Sequence, residues 1–345
     1  MLVALLAFVG GGVTMHVLAH FHAASVAASQ GPPSTSPAVG AAPATSAAQP
    51  VGASTVANEG SDVDSAAGGE DDNADDWPAN APSPEQVLYA QHRMMEKAVG
   101  ELTPRVPGKP NLWVIAFAGD GGEDVFRNEA EYAQRLFARR FDAQGHVLVL
   151  QNNPATLDTR PLATWSNLET ALDGVAARMD RGQDILLLYL TSHGTEDHTL
   201  LVDMNPLPLD QLDPDGLAQM LSSRHIRYKV VVVNACYSGG FLPSLRGDGT
   251  AVLTAARSDR SSFGCGSDSD ITYFGHAWLV DGLNQTDDIL GAFANAKKEI
   301  SQWEQRDKLT PSEPQLDLGF GIAAQLEKWR TSHKAGPTIG FSAAK

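Results

Sequence analysis

The stretch YKVVVVNACYSGG, residues 228–240, decides the fold. Its apolar run is continuous, which predicts a strand covered on both faces, because a strand exposed on one face would alternate. Similar runs occur in NLWVIAFA, residues 111–118, and in DILLLYLTSHG, residues 184–194. Segments with helical spacing separate them. The sequence therefore predicts an α/β fold, a three-layer α/β/α sandwich with a mostly parallel sheet.

The same reading extends along the chain from residue 85. Helices are predicted at 85–99, 124–141, 167–181, 214–224 and 287–305, and strands at 111–118, 146–150, 184–191, 228–235 and 250–256.

Chemically useful residues follow two of these strands. His193 and Gly194 end one of them, and Cys236 ends the other. The carboxyl ends of parallel strands share one rim, where such sheets bind ligands. If the strands are neighbours, the imidazole lies beside the thiol, accepts its proton and later protonates a leaving amine. The N–H groups of Gly194 and Cys236 are then candidates for an oxyanion hole.

Each of these residues alone fits an ordinary structural role, such as a buried apolar thiol or a histidine bonded to backbone. Their joint placement at corresponding strand ends, each near glycine, favours nucleophilic catalysis. The second cysteine, Cys265, is predicted to be a packed loop thiol. A bridge between the two would block the nucleophile, so we expect free thiols. No cofactor or metal is required by this chemistry.

Charge is distributed unevenly. Nine acidic residues and no Lys or Arg precede Arg93, within a formal net charge of −16. An acidic surface without a basic stripe repels phosphate backbones, so nucleic acid is not an expected partner.

The first quarter of the chain is predicted to lie outside the folded domain. Residues 1–24 contain an apolar stretch that predicts a membrane-targeting segment, either a signal peptide or an anchor. Residues 25–84 are rich in Ala, Ser and Pro and then acidic, which predicts a disordered linker. A folded catalytic domain at 85–335 and a flexible tail at 336–345 complete the predicted organisation. The expected location is the cell envelope, either anchored in the inner membrane or secreted to the periplasm.

The strings LLLYLTSHG and VVVVNACYSG resemble the hallmark of the legumain family of cysteine peptidases, peptidase family C13, which has the caspase-like fold. The likeness extends to LWVIAFAGDGG with FRNEAE, and to LTAARSDRSSFGCGSDSDITYFGHAW, covering roughly residues 111–279. It implies Cys236 as nucleophile, His193 as catalytic histidine and Gly194 as oxyanion-hole residue. It also implies a substrate pocket lined by Arg127, Ser261 and Ser262.

Two departures from the family pattern bear on specificity. Where asparagine-specific legumains have acidic residues, this chain has Tyr237 and His276. Loss of two negative charges around Arg127 implies acceptance of P1 Asp as well as, or instead of, Asn, because a guanidinium pairs bidentately with a carboxylate. A third departure is Gly121, which stands where some members have an asparagine that orients the histidine. Asp120, Glu123 or a backbone carbonyl remain candidates for that role.

The resulting expectation is an endopeptidase acting on a protein or peptide through a thioester acyl-enzyme. An amine that intercepts this intermediate would make the enzyme a transpeptidase. The alternatives are a catalytically silent caspase-fold binding module of the envelope and a hydrolase of small amides. The sequence predicts no oligomeric state.

Overall fold

The structure is a computed structural model that describes residues 77–343. The predicted membrane-targeting segment and nearly all of the predicted linker lie outside these residues, and the predicted domain boundaries stay predictions. Between residues 77 and 343, no helix combines the length and apolar character needed to cross a bilayer.

Helices and strands alternate along the described chain. The α-helices are α1 (Pro84–Gly100), α2 (Asp124–Arg140), α3 (Trp165–Ala176), α4 (Pro214–Ser222), α5 (Leu242–Leu245), α6 (Tyr273–Gly275), α7 (Leu283–Gln285), α8 (Ile289–Asp307) and α9 (Ile322–Thr331). The strands are β1 (Leu112–Ala118), β2 (Val147–Gln151), β3 (Ile185–Thr191), β4 (Tyr228–Asn234), β5 (Thr250–Thr254) and β6 (Gln315–Leu318). A π-helical segment, His276–Gly282, joins α6 to α7, and 3-10 turns occupy Pro154–Thr156 and Ser238–Phe241.

The strands form one six-stranded sheet in the order β2-β1-β3-β4-β5-β6. Strands β1 to β5 are parallel to one another, and β6 runs antiparallel to β5. The chain turns to one side of β1 to form β2 and then returns to its other side for β3. A crevice therefore opens at the carboxyl ends of β1 and β3, which is where open α/β sheets bind ligands.

Helices cover both faces of the sheet, and the side chains of β1 divide between two cores. Val114 and Ala116 join the core under α2, α8 and α9, whereas Trp113, Ile115 and Phe117 join the core under α1, α3, α4 and α5. All seven residues of β1 are buried. The three-layer α/β/α sandwich with a mostly parallel sheet is confirmed, and it is consistent with a caspase-like fold.

Some elements differ from the prediction. The helix expected at 167–181 begins at Trp165, because Thr164 caps it by accepting from the Asn167 N–H, and it ends at Ala176. The strand β6, the helix α9 and the helical segment from Tyr273 to Gln285 were not predicted from the sequence. The strand β6 has no continuous apolar run, since its four residues are half-buried or exposed at the sheet edge.

Two segments at the margins of the predicted domain contact it. Trp77 and Ala81 pack beside Val87 of α1, and the Trp77 indole donates to the Pro82 carbonyl. In the predicted tail, the Ile339 carbonyl accepts from the Tyr132 hydroxyl at 2.8 Å, and Phe341 packs against the core.

Candidate active site

The register of the central strands brings the two predicted catalytic segments side by side. Thr191, the last residue of β3, pairs with Asn234, the last residue of β4. His193 and Cys236 each lie two residues beyond this pair, at the same rim of the sheet. The imidazole of His193 acts electrostatically on the Cys236 thiol and lowers its pKa.

His193 is held by groups from β1 and α2. Its Nε2 lies 3.5 Å from Asp120 Oδ2, and the Phe126 ring packs edge-on against the imidazole at 5.1 Å between centroids. Asp120 follows β1 directly, so the crevice between β1 and β3 supplies the acid. Since Nε2 faces Asp120, the other ring nitrogen, Nδ1, is left for proton transfer. The sequence left Asp120, Glu123 and a backbone carbonyl as candidates for orienting His193. Of these, Asp120 lies against the ring.

Asp120 is itself buried and accepts a backbone hydrogen bond. Its Oδ1 accepts from the Gly122 N–H at 2.8 Å. Burial raises the pKa of Asp120, and the Gly122 hydrogen bond and His193 oppose that rise. A buried carboxylate beside an imidazole stabilises the charged ring that forms during proton transfer.

The loop after β5 contributes the hydrogen-bonding groups around the Cys236 thiol. The Ser262 N–H donates to Sγ at 3.2 Å, and the Ser262 hydroxyl lies 3.6 Å away. Interaction with the Cys265 thiol is the main cause that lowers the pKa of Cys236 to about 5; Ser262 and His193 act in the same direction, and burial opposes them. The same interaction raises the pKa of Cys265. Both cysteines are free thiols, and Cys236 is placed to be a thiolate at neutral pH.

Gly194 is required by close packing rather than by an unusual backbone angle. A Cβ at this position would overlap the Cys236 carbonyl oxygen, so only glycine lets the two strand ends approach. The hairpin after β3 uses the N–H groups of Thr195 and Leu201. Among the described backbone groups, none accepts a hydrogen bond from the Gly194 N–H, so this N–H stays a candidate oxyanion-hole donor.

Arg127 lies on α2 and is 4 % exposed. Its Nη1 donates to Asn153 Oδ1 at 3.0 Å and lies 3.6 Å from Asp124 Oδ1. Its Nε is buried and has no partner among residues 77–343. No contact between described residues joins Arg127 to Cys236, so its predicted role in the pocket stays a prediction.

The remaining predicted pocket residues separate into two groups. Tyr237, which follows Cys236 in the chain, and Ser261 border a cavity of about 500 Å³, also lined by Asp259, Arg260, Phe263, Lys308, Leu309 and Thr310. His276 lies elsewhere: its Nε2 is 3.5 Å from Asp281 Oδ2, and its ring is 5.4 Å from that of Trp303. In the described region it has no contact with Cys236, and its predicted pocket role stays untested.

A buried polar cluster lies beneath the strand ends and was not predicted from the sequence. Its centre is Glu129 of α2, which is fully buried. It accepts from side chains of β3 and β4 and from Thr272 at the start of α6. The available signal was the position of Glu129 on the apolar stripe of α2, between Val125 and Ala133, where a charged residue is unusual.

For the described residues, no group of three or more His, Cys, Asp or Glu side chains is arranged to hold a metal ion.

Comparison with known families agrees with this geometry. Residues 166–322 match the family model described as the Peptidase C13 family. The matched segment contains His193, Gly194, Cys236 and Ser262, while Asp120 lies before it. No curated protein matches the chain.

Proposed function

We propose that Cys236 and His193 cleave peptide bonds through a thioester acyl-enzyme, as expected of a cysteine peptidase of the Peptidase C13 family, whose model matches residues 166–322. The observation that carries the assignment is the register pair Thr191 and Asn234, which aligns the two strand ends.

In the proposed reaction, Cys236 transfers its thiol proton to His193, and the sulfur attacks the scissile carbonyl carbon to form a C–S bond. The negative charge that develops on the carbonyl oxygen is stabilised by the N–H groups of Gly194 and Cys236. His193 protonates the leaving amine as the C–N bond breaks, while Asp120 holds the ring. Water, deprotonated by His193, then attacks the thioester and releases the acid product and the thiol.

We further propose that the enzyme cleaves after Asp or Asn. Support comes from Arg127, a buried guanidinium whose Nε is unpaired in the described structure and can donate to a carboxylate or an amide oxygen. The family's acidic positions are occupied by Tyr237 and His276, which removes negative charge that would repel P1 Asp.

A positional-scanning library of fluorogenic tetrapeptides, run with the wild type and with Cys236→Ala, tests both proposals. Cleavage after Asp or Asn by the wild type alone is expected. An Arg127→Lys variant keeps the charge but loses the planar fork, so its preference for Asp should weaken. Rejection of both Asp and Asn while another residue is cleaved contradicts the pocket argument.

The same assay separates the alternatives. If no peptide is cleaved and iodoacetamide reacts with Cys236 only at ordinary thiol rates, the chain is a silent binding module. Addition of an amine nucleophile detects transpeptidation as a ligated product. Turnover of free asparagine without peptide cleavage identifies a hydrolase of small amides.

We also propose that the enzyme acts in the cell envelope. Support comes from the apolar N-terminal segment, residues 1–24, and the acidic stretch that follows it. Fractionation of cells that express the full chain or a chain lacking residues 2–24 tests this. Envelope recovery of the full chain and cytoplasmic recovery of the truncated one are expected, and equal distribution of the two refutes the proposal.

A further inference from the structure

Glu129 is a carboxylate enclosed directly beneath the reactive rim. Its Oε2 accepts from the Tyr189 hydroxyl, the Thr191 hydroxyl and the Asn234 amide, each at 2.7 Å. Its Oε1 accepts from the Thr272 N–H at 2.9 Å and from the Thr272 hydroxyl at 2.6 Å. Within residues 77–343 no basic side chain pairs with it, so its partners are all neutral donors.

These donors come from three separate segments of the chain. Tyr189 and Thr191 belong to β3, Asn234 ends β4, and Thr272 begins the helical segment after the loop that carries Ser262 and Cys265. A carboxylate accepts and does not donate, so every donor must point inward at the same two oxygens. The cluster therefore constrains the relative positions of all three segments.

The constrained residues adjoin the chemistry. Thr191 lies two residues before His193, and Asn234 lies two residues before Cys236. Thr272 closes the loop whose Ser262 N–H contacts the Cys236 sulfur. We propose that Glu129 is a positioning residue for the peptidase reaction, which sets the alignment of His193, Cys236 and the Ser262 loop without touching substrate.

A purely structural role for Glu129 is the competing explanation, and Asp184 provides a matched control. Asp184 is also fully buried and accepts from several donors, including Arg105 Nε at 3.0 Å and the Asn111 N–H at 2.9 Å. It lies at the opposite end of β3, away from the rim. Asp184→Asn should lower stability and leave the reactive groups aligned.

Glu129→Gln is the informative variant because it keeps the volume and removes the charge. The amide N–H₂ of the new glutamine faces groups that donate to Glu129 in the wild type. The hydroxyls among them can rotate so that they accept a hydrogen bond instead. The Asn234 Oδ1, which is buried and unpaired in the described structure, becomes an acceptor for it after amide rotation. The variant is therefore expected to fold with the rim rearranged.

Steady-state kinetics and the rate of Cys236 alkylation measure the alignment of the reacting groups, and thermal unfolding measures stability. For Glu129→Gln we expect kcat to fall by about 10- to 100-fold with KM changed by less than about threefold, because misplacement of reacting groups acts on the chemical step. The rate of Cys236 alkylation by iodoacetamide at neutral pH should fall as well. Asp184→Asn should reproduce the loss of melting temperature with kcat and alkylation unchanged.

Thr191→Val is a second variant that preserves shape and removes only the donor nearest His193. It should show a smaller loss of kcat in the same direction. If Glu129→Gln and Thr191→Val both behave like Asp184→Asn, with lower melting temperature and wild-type kcat and alkylation, the proposal is refuted.

The inference rests on the proposed function for its kcat readout, but alkylation requires no substrate. If the wild type cleaves no peptide while Glu129→Gln still slows alkylation, the proposed function fails and the positioning role stands.

Discussion

Replacement of Cys265 by alanine should raise the pKa of Cys236. The Cys265 thiol is the largest single cause that lowers the pKa of Cys236 from 9.0 to about 5. Cys265→Ala removes that donor and leaves the Ser262 N–H at 3.2 Å in place. The contributions of Cys265 and Ser262 to the pKa of Cys236 can therefore be measured separately.

The magnitude follows from the strength of a hydrogen bond to a charged acceptor. Such a bond contributes about 1.5–3 kcal/mol, which corresponds to about one to two pKa units. The pKa of Cys236 should therefore rise to about 6–7. At pH 5.5 the thiolate fraction would fall from about three quarters to about one quarter or less. A more basic thiolate is intrinsically more nucleophilic, by about threefold per pKa unit, so the plateau rate should rise.

The assay is the rate of carboxamidomethylation by iodoacetamide from pH 4 to pH 9, with Cys236 quantified by peptide mass spectrometry. The chain has two cysteines, so Cys265→Ala leaves Cys236 as the sole target. The midpoint of the profile is the decisive quantity, since the fall in thiolate fraction and the rise in nucleophilicity offset each other in a single rate.

Cys265→Ser is the matched control because its hydroxyl retains a donor at nearly the same place. Its midpoint should lie between those of the wild type and Cys265→Ala. A Cys265→Ala midpoint within about 0.3 units of the wild type would show that Cys265 does not set the thiolate. Equal displacement in both variants would attribute the effect to packing instead of hydrogen bonding.

Three further predictions concern the same rim. Asp120→Asn should lower kcat by about 10- to 1,000-fold with little change in KM, because the imidazole loses its orienting charge; unchanged steady-state kinetics would contradict this. Gly194→Ala should lower kcat by about 100-fold or more, since its Cβ displaces the Cys236 carbonyl, while Gly100→Ala, which has open space around it, should behave as the wild type in the same assay. Because the folded-state pKa of Cys236 lies below its unfolded value, the thiolate contributes stability that is full above about pH 8.5 and is lost as pH falls through about 5. The melting temperature of the wild type minus that of Cys236→Ala should therefore decrease as pH falls through that range. A difference that does not change with pH would contradict the low pKa of Cys236.

The parallel sheet and the placement of the reactive pair were predictable because they depend on local pattern. Continuous apolar runs reveal buried strands, and the carboxyl end of each run identifies its rim residue. Thus His193 and Cys236 could be assigned to one edge before their register was known. The register pair Thr191 and Asn234 then required only that β3 and β4 be neighbours.

The groups that tune the reactive pair were harder to predict because they come from distant segments. Asp120 follows β1 and reaches His193 across the crevice, so its role depends on β1 lying next to β3. Cys265 was predicted to be a packed loop thiol, and its effect on the pKa of Cys236 depends on the path of the loop after β5. No period or spacing in one segment encodes such a contact.

Glu129 illustrates a signal that was present and was not used. Its position on the apolar face of α2 places a carboxylate where a hydrophobic residue would stabilise the core more simply. Burial of an acid without a basic partner requires several hydrogen-bond donors, and here they come from the ends of the two strands that carry His193 and Cys236. A charged residue that interrupts the buried stripe of a helix therefore indicates that polar groups converge opposite it. In a parallel sheet, that convergence is expected at the rim where the chemistry takes place.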